Sequence, residues 1–499
     1  MTSTGATPAV QAQREETESA SKPRRHLEPA HLVILLVGLA ITALSVGPLT
    51  EIDSYWHVLV GNEILSDHRI SGVGNAWSLY TAGNNWATSQ WASEVIMALA
   101  VKWFGWSGLM WLRTVLVAAL LGLLARSLLT RATPRAAALV VAIVMIPAVP
   151  SMQERPMLAS FVFLVWLSGA AYDVLVGRRT PPWWQVGLLV VIWANLHGLW
   201  VLAPAAFALA GLCLAIDRDP ASRPRVRTAL VLTGVAGVAG CLTPLGPKGL
   251  LLPFTFSSAT AQISEWQRTT PWAAGVAGLL LLSAILIGTW ARQDRAIPWS
   301  HVLYWGAWTL FAFLAFRNVV PATLMLAPLA AAAVSRQPRF ARSPVGAPEQ
   351  QAILVVGLLF AVIGASWIAI QTARTDPLEK SEPLVIARAL ADIPGEKRVF
   401  NGYNSAGVLA AFGGDGIKLA IDGRSDRFGG DYIARYVDAM DLTGDWQQLI
   451  NNVDPDYAVI ASDNALAHEL ATHQGWTLVM TDRHYSLLKA PAGPPLPNR

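Results

Sequence analysis

Apolar stretches of roughly 17–25 residues recur along this chain from Leu32 to Ile370, and they restrict its fold more than any other feature. A helix of that length crosses roughly 30 Å of hydrocarbon. Lipid offers a backbone no hydrogen-bond partners, so a segment of this kind satisfies its own amides as an α-helix. The balance of the whole chain agrees: 53% of its 499 residues are hydrophobic and only 14% charged, against about 25% in a soluble protein. The fold class expected is a polytopic α-helical membrane protein with about eleven transmembrane helices. The spans fall at Leu32–Leu49, Gly108–Leu124, Ala136–Pro150, Met157–Val174, Val186–Ala194, Leu199–Ile216, Ala229–Leu242, Ala273–Trp290, Val302–Phe316, Val319–Val334 and Ile353–Ile370. The fifth is short and would extend back through Trp183. Trp91–Trp106 is too short to cross and reads as an interfacial helix.

Basic residues set the orientation. Arg24/Arg25, Arg126/Arg131/Arg135, Arg178/Arg179, Arg218/Arg223/Arg225/Arg227, Arg292/Arg295 and Arg336/Arg339/Arg342 occupy alternate loops. The positive-inside rule places those loops and the N-terminus in the cytoplasm. The C-terminus is then outside, in a multi-pass protein of the plasma (inner) membrane. Every polar cluster of interest falls on the outer side, which predicts a chamber facing outward.

Three regions follow. Residues 1–30 form a polar cytoplasmic tail of disordered composition, whose following apolar run reads as a retained span. Residues 31–371 form the transmembrane domain, with a long first outer loop at 50–107. Residues 372–499 regain charge and show short strands near Arg398–Asn401, Ile417–Ile421, Tyr457–Ile460 and Trp476–Met480, with helices between, which predicts an extracytoplasmic α/β domain. Asp422 and Arg424 after the second strand read as a structural ion pair. The loose end Ala490–Arg499 is rich in Pro. Cys213 and Cys241 lie in apolar runs and form no disulfide or zinc pattern. No basic run points to nucleic acid.

The candidate chemistry centres on Glu51-Ile52-Asp53-Ser54-Tyr55-Trp56-His57, at the end of the first span. Charges at a membrane boundary need partners or a purpose. On an extended segment Glu51 and Asp53 would point to the same side. Such a pair can raise one member's pKa to make a base, or ligate a divalent cation such as Mg or Mn. The following loop mixes Trp77, Tyr80, Trp86 and Trp91 with Asn75, Asn84, Asn85 and Gln90. That mixture suits either stacking on a sugar ring or anchoring at the interface. Further substrate-binding candidates are His57, Glu94, Arg155 beside Glu154, Asn195 and His197, Glu265, and Arg317 with Asn318. Arg suits phosphate, and Arg317 lies between two nearly continuous spans, so a lipid-phosphate contact is expected there.

An acidic-x-acidic pair directly after the first span, an interfacial helix, many spans and an outer domain together resemble the GT-C membrane glycosyltransferases. That resemblance implies a sugar donor on a polyprenyl phosphate. It also implies that the first-loop acid, here Asp53 with Glu51 beside it, deprotonates the acceptor or organises a metal. The pieces Asp53-Ser54-Tyr55-Trp56-His57, Trp86 with Trp91-Ala92-Ser93-Glu94, Arg155-Pro156, Asn195-Leu196-His197-Gly198 and Ile421-Asp422-Gly423-Arg424 also resemble a group of bacterial membrane proteins without an established activity. The function expected is transfer of a sugar from a polyprenyl-phosphate donor to a cell-envelope glycan, lipid or protein, with Arg317, Arg155 or His197 holding the phosphate. Two rivals of other classes stand beside it: a transporter or flippase, and a non-catalytic envelope scaffold.

Overall fold

A computed structural model describes residues 27–250 and 264–492. The tail expected at 1–30 and the loose end at 490–499 therefore lie almost wholly outside the described residues. The helices are α1 (Pro29–Leu44), α2 (Ser54–Asp67), α3 (Trp91–Phe104), α4 (Ser107–Leu129), α5 (Pro134–Ala148), α6 (Pro156–Val176), α7 (Trp183–Leu196), α8 (Leu202–Ile216), α9 (Arg223–Gly240), α10 (Ala277–Trp290), α11 (Trp299–Leu314), α12 (Val319–Val334) and α13 (Ala347–Arg374). Each expected span overlaps one of them, and the segment Trp91–Trp106 is helical as α3. Among the described residues, six segments are long and apolar enough to cross a membrane: α4, α6 and α13, and α5, α8 and α12 extended by a flanking turn.

Helix α12 is the axis of the bundle, packed among α5, α6, α10 and α11. Its Ala330-Ala331-Ala332-Ala333 run lets neighbouring backbones approach, which is how helices associate where lipid removes the hydrophobic drive. By contrast, α13 is almost wholly exposed along its apolar length and rests mainly on α1, as expected of a peripheral lipid-facing helix.

The first long loop, residues 50–107, is mostly helical. The extended segment expected at Glu51–Asp53 is a turn, with Asp53 at φ −78°, ψ −18° leading straight into α2. Tyr55, Trp56 and His57 are therefore buried on a helix and do not open a loop. Helices α2 and α3 pack closely at Gly61, where a β-carbon would lie 2.1 Å from the Glu94 carbonyl oxygen.

The C-terminal region adds α14 (Leu384–Ala391), α15 (Ala406–Phe412), α16 (Ser425–Phe428), α17 (Gly430–Met440), α18 (Trp446–Val453) and α19 (Ala465–Thr472). Its strands are β1 (Lys397–Asn401), β2 (Ile417–Leu419), β3 (Tyr457–Ala461), β4 (Thr477–Asp482) and β5 (Tyr485–Lys489), in the order β2-β1-β3-β5-β4. Strand β1 runs parallel to both β2 and β3, whereas β5 is antiparallel to β3 and β4. The edge at β2 is covered by the loop that precedes α3: Leu79 N donates to Leu419 O at 2.9 Å, and Leu419 N to Trp77 O at 2.8 Å. An open sheet edge is a liability that such cover removes. One hydrophobic core runs through both regions, joining Tyr55, Trp56 and Met97 to Ile386, Leu409 and Leu487.

Candidate active site

The Glu51–Asp53 turn is pinned from below by a charge inside α4. Arg113 is 5% exposed, pairs with Glu154, and donates to the Gly47 carbonyl at 2.5 Å. Ser54 Oγ donates to Glu154 O at 2.8 Å, and Leu49 N to Pro377 O at 2.9 Å. Within the turn Asp53 N donates to Glu51 Oε1 at 3.1 Å.

Arg155 is the hub. It stands at the N-cap of α6 with an extended backbone, followed by Pro156, whose fixed φ suits the first helical position. Its Nε lies 2.5 Å from Glu51 Oε2, one terminal nitrogen 3.1 Å from Asp53 Oδ2, and the other 3.2 Å from Glu265 Oε2. Glu265 Oε1 is in turn 3.8 Å from Arg317, whose guanidinium stacks 4.1 Å from the centre of the Trp266 ring. Acids from the start of the chain thus meet cations from far along it. Burial pushes the Glu51 carboxyl up to about 7; Arg155 pulls it back down and Asp53 raises it further. Burial acts to lower the Arg155 pKa, but Asp53 and Glu51 outweigh it and hold the guanidinium firmly charged.

Asp53 is also fixed from the C-terminal region. Trp56 Nε1 donates to Asp53 Oδ1 at 2.9 Å, and Gly423 lies against the same oxygen, where a β-carbon would come within 1.9 Å. Only a glycine fits there.

His57 and Glu94 form a 3.2 Å contact in a dry environment. Burial lowers the His57 pKa to about 3 and raises that of Glu94 to about 8, so at neutral pH this is a hydrogen bond between uncharged groups and not an ion pair. His197 lies 2.9 Å from Ser160 Oγ, which also accepts from Trp193 Nε1 at 2.8 Å. Burial holds the His197 pKa near 3. A neutral imidazole supplies no positive charge, which leaves Arg155 and Arg317 as the cations of this acidic network. Trp91 Nε1 donates to Asn195 Oδ1 at 2.8 Å, tying α3 to the end of α7, while Gln90 sits at the N-cap of α3. Asn318 donates to Phe311 O at 3.1 Å and braces the break between α11 and α12.

The aromatic and amide loop is taken up by docking the C-terminal region. Arg424 is fully buried; it pairs with Asp422 at 2.6 Å, donates to Val73 O and Gly74 O, and stacks over Trp77 and Trp86. Trp86 Nε1 donates to Asp426 at 2.6 Å. Arg427 is held by Asn75 Oδ1, Asn84 Oδ1 and the carbonyls of Tyr80 and Gly83. A sugar-stacking face is therefore not free at Asn75, Trp77, Asn84 or Trp86, and the structural pairing expected of Asp422 and Arg424 holds. Sequence reasoning passed over Arg113, Ser160 and Arg427; the sole charge inside the Gly108–Leu124 span was a legible signal for the first.

For a divalent cation at Glu51 and Asp53 the donor set fits poorly. Glu51 Oε2 and Asp53 Oδ2, the oxygens that would bind it, already face Arg155. Among the described residues no group of three or more His, Cys, Asp and Glu side chains is placed to hold a metal. Next to Arg155 opens an apolar cavity of about 170 Å³, lined by Met97, Leu109, Leu112, Leu158, Val162 and Phe163, with Arg113 and Glu154 at its edge.

No protein-family model matches this sequence, and no curated protein does. Among solved structures, ArnT from Cupriavidus metallidurans bound to undecaprenyl phosphate matches 92% of this chain and 98% of its own, at 15% identity and a TM-score of 0.51. The apo state of the same protein matches over the same shares at 16% identity and a TM-score of 0.49. At the level of the fold, this helical chain is similar to ArnT over nearly its whole length.

Proposed function

We propose that this protein is a membrane glycosyltransferase that moves a sugar from a polyprenyl-phosphate donor to a hydroxyl of a cell-envelope acceptor on the outer face. One observation carries the reading: Asp53 and Arg317 are linked by contacts of 3.1, 3.2 and 3.8 Å through Arg155 and Glu265. A base and two cations within one headgroup's reach are what such a transfer needs. The fold adds weight, since ArnT with that fold binds undecaprenyl phosphate.

In this reading the donor phosphate meets Arg155 and Arg317, displacing the Glu265 carboxylate that bridges them. The start of the prenyl chain enters the apolar cavity between α3, α4, α6 and α7. Asp53 takes the proton of the acceptor hydroxyl as its oxygen bonds to the anomeric carbon. The bond from that carbon to the phosphate oxygen breaks, and the phosphate leaves with the electron pair. Fixed guanidinium groups stabilise the charge that develops on it. Direct attack inverts the anomeric centre.

A positioned general base contributes about a hundred- to ten-thousand-fold. Asp53→Asn should lower turnover by that factor in reconstituted protein while the thermal transition stays in place. Unchanged turnover would rule Asp53 out as the base. Retained anomeric configuration would rule out direct transfer. If lipid-linked sugar crosses the bilayer without transfer, the flippase reading takes over.

A further inference from the structure

The same two helices that carry the candidate site at one end carry a second, basic cavity at the other. Along α6, Asp173 lies 17 residues beyond Pro156, a distance of about 25 Å at the helical rise. The cavity there measures about 530 Å³ and is walled by the far ends of α4 and α6 and the turn that follows α6. Four arginines reach it, Arg126, Arg131, Arg178 and Arg179, against a single acid, Asp173.

These arginines do two different jobs. Arg131 is committed to the fold. It binds Asp173 through two bonds of 2.9 and 2.7 Å and lies across Gly169, where a β-carbon would come within 2.7 Å of it. Arg178 donates one nitrogen to Thr130 O at 2.8 Å. The side chains of Arg126 and Arg179 are exposed and make no hydrogen bond or ion pair with any other described residue. Since Arg131 neutralises Asp173, the residues that line the cavity keep an excess of positive charge. Its other wall is apolar: Leu123 lies one turn from Arg126 on the same face of α4 and is 41% exposed, and Val165 and Trp166 continue the rim from α6. A basic floor beneath an apolar, membrane-facing rim suits an anion that carries chains. Basic pockets between membrane helices recognise lipid headgroups in this way.

We propose that this cavity binds the phosphate headgroup of an anionic phospholipid, on the membrane face opposite the candidate active site. The proposal does not rest on the glycosyltransferase reading.

The test uses full-length protein in detergent micelles, titrated with phosphatidylglycerol and cardiolipin and followed by native mass spectrometry. Phosphatidylcholine and inorganic phosphate serve as comparison ligands. The variant is Arg126→Gln with Arg179→Gln, which leaves the Arg131–Asp173 pair intact. A matched control removes two exposed arginines elsewhere, Arg223→Gln with Arg227→Gln. The expected result is retention of the anionic lipids by wild type and by the control, and affinity about tenfold or more lower in the cavity variant. Phosphatidylcholine should bind weakly to all three. Equal retention by the cavity variant, or an equal loss in the control, would overturn the proposal. Competition by millimolar inorganic phosphate as effective as that of lipid would make the site one for a free anion and overturn the headgroup assignment.

Discussion

Arg155 pairs with Asp53, and Arg424 follows Gly423, which lies against the same Asp53 carboxylate, yet the ion pairs of the two arginines have different characters. The side chain of Arg424 is fully excluded from solvent and bonded through all three of its nitrogens, to Asp422 and two backbone carbonyls, against two indole faces. Arg155 keeps a quarter of its side-chain surface exposed and divides its charge among three carboxylates from different elements. A cation bonded through every nitrogen and sealed from water holds structure together. One that shares its bonds with a half-exposed Glu265 can exchange a partner for a ligand. Saturation and exposure, not the presence of an ion pair, separate the scaffold from the site.

The sharpest way to break this comparison is at Arg424. Removing one partner of a buried pair costs about 3–5 kcal/mol, because Asp422 is left charged and dry. Arg424→Met should therefore lower the unfolding free energy on that scale, read by thermal or chemical denaturation in micelles. Burial acts to raise the Asp422 pKa, but Arg424 outweighs it and holds it below the ordinary carboxylate range. Its stabilisation is thus present above the unfolded pKa and lost as the pH falls through the lower folded value. Arg424→Met should flatten that acid-side loss.

Arg155→Gln is the counterpart at the exchangeable arginine. Loss of a donor aimed at developing charge costs about a hundred- to a thousand-fold in turnover. The expected outcome is that fall in transfer with a smaller loss of stability than in Arg424→Met. A larger stability loss would erase the distinction. Glu265→Gln should have a milder and opposite effect, since it frees Arg155 and Arg317 from a competing carboxylate. The KM for the lipid donor should fall by roughly threefold to tenfold, on the scale of about 1 kcal/mol for a partly exposed charge pair.

The smallest effect is expected at Glu51. Its raised pKa, about 7, means that the fold disfavours the ionised form. The cost appears as the pH rises from the ordinary carboxylate value through 7, so Glu51→Gln should be relatively more stable than wild type at pH 8 than at pH 5. Ionised Glu51 also competes with Asp53 for Arg155. Wild-type turnover should therefore rise through pH 7, and that inflection should vanish in Glu51→Gln.

Much of the site was legible because charge inside an apolar chain is conspicuous. Glu51, Asp53, Arg155, Glu265 and Arg317 stand out in the sequence as acids and bases beside spans, and all five fall in one network. His197 misled because its residue type suggests a cation, whereas its burial beside Ser160 and Trp193 makes it neutral. The loop from Asn75 to Trp86 misled for a related reason. Aromatics and amides serve equally well to bind a sugar or to clasp Arg424 and Arg427, and composition does not distinguish a ligand from a neighbouring domain.

By itself the sequence determined the helical membrane class, the placement of the apolar helices, the α/β character of the C-terminal region and the identity of the charged groups. Length, periodicity and the cost of a bare amide or charge in lipid are local constraints, and each is written in consecutive residues. Tertiary structure alone decided that Arg155 is the hub, that Glu265 bridges the two arginines, and that the C-terminal region closes over the first loop with Gly423 against Asp53. Those are contacts between residues from 52 positions apart, for Glu265 and Arg317, to 370, for Asp53 and Gly423, and only the packing of the whole chain sets how much water and how many partners each group keeps.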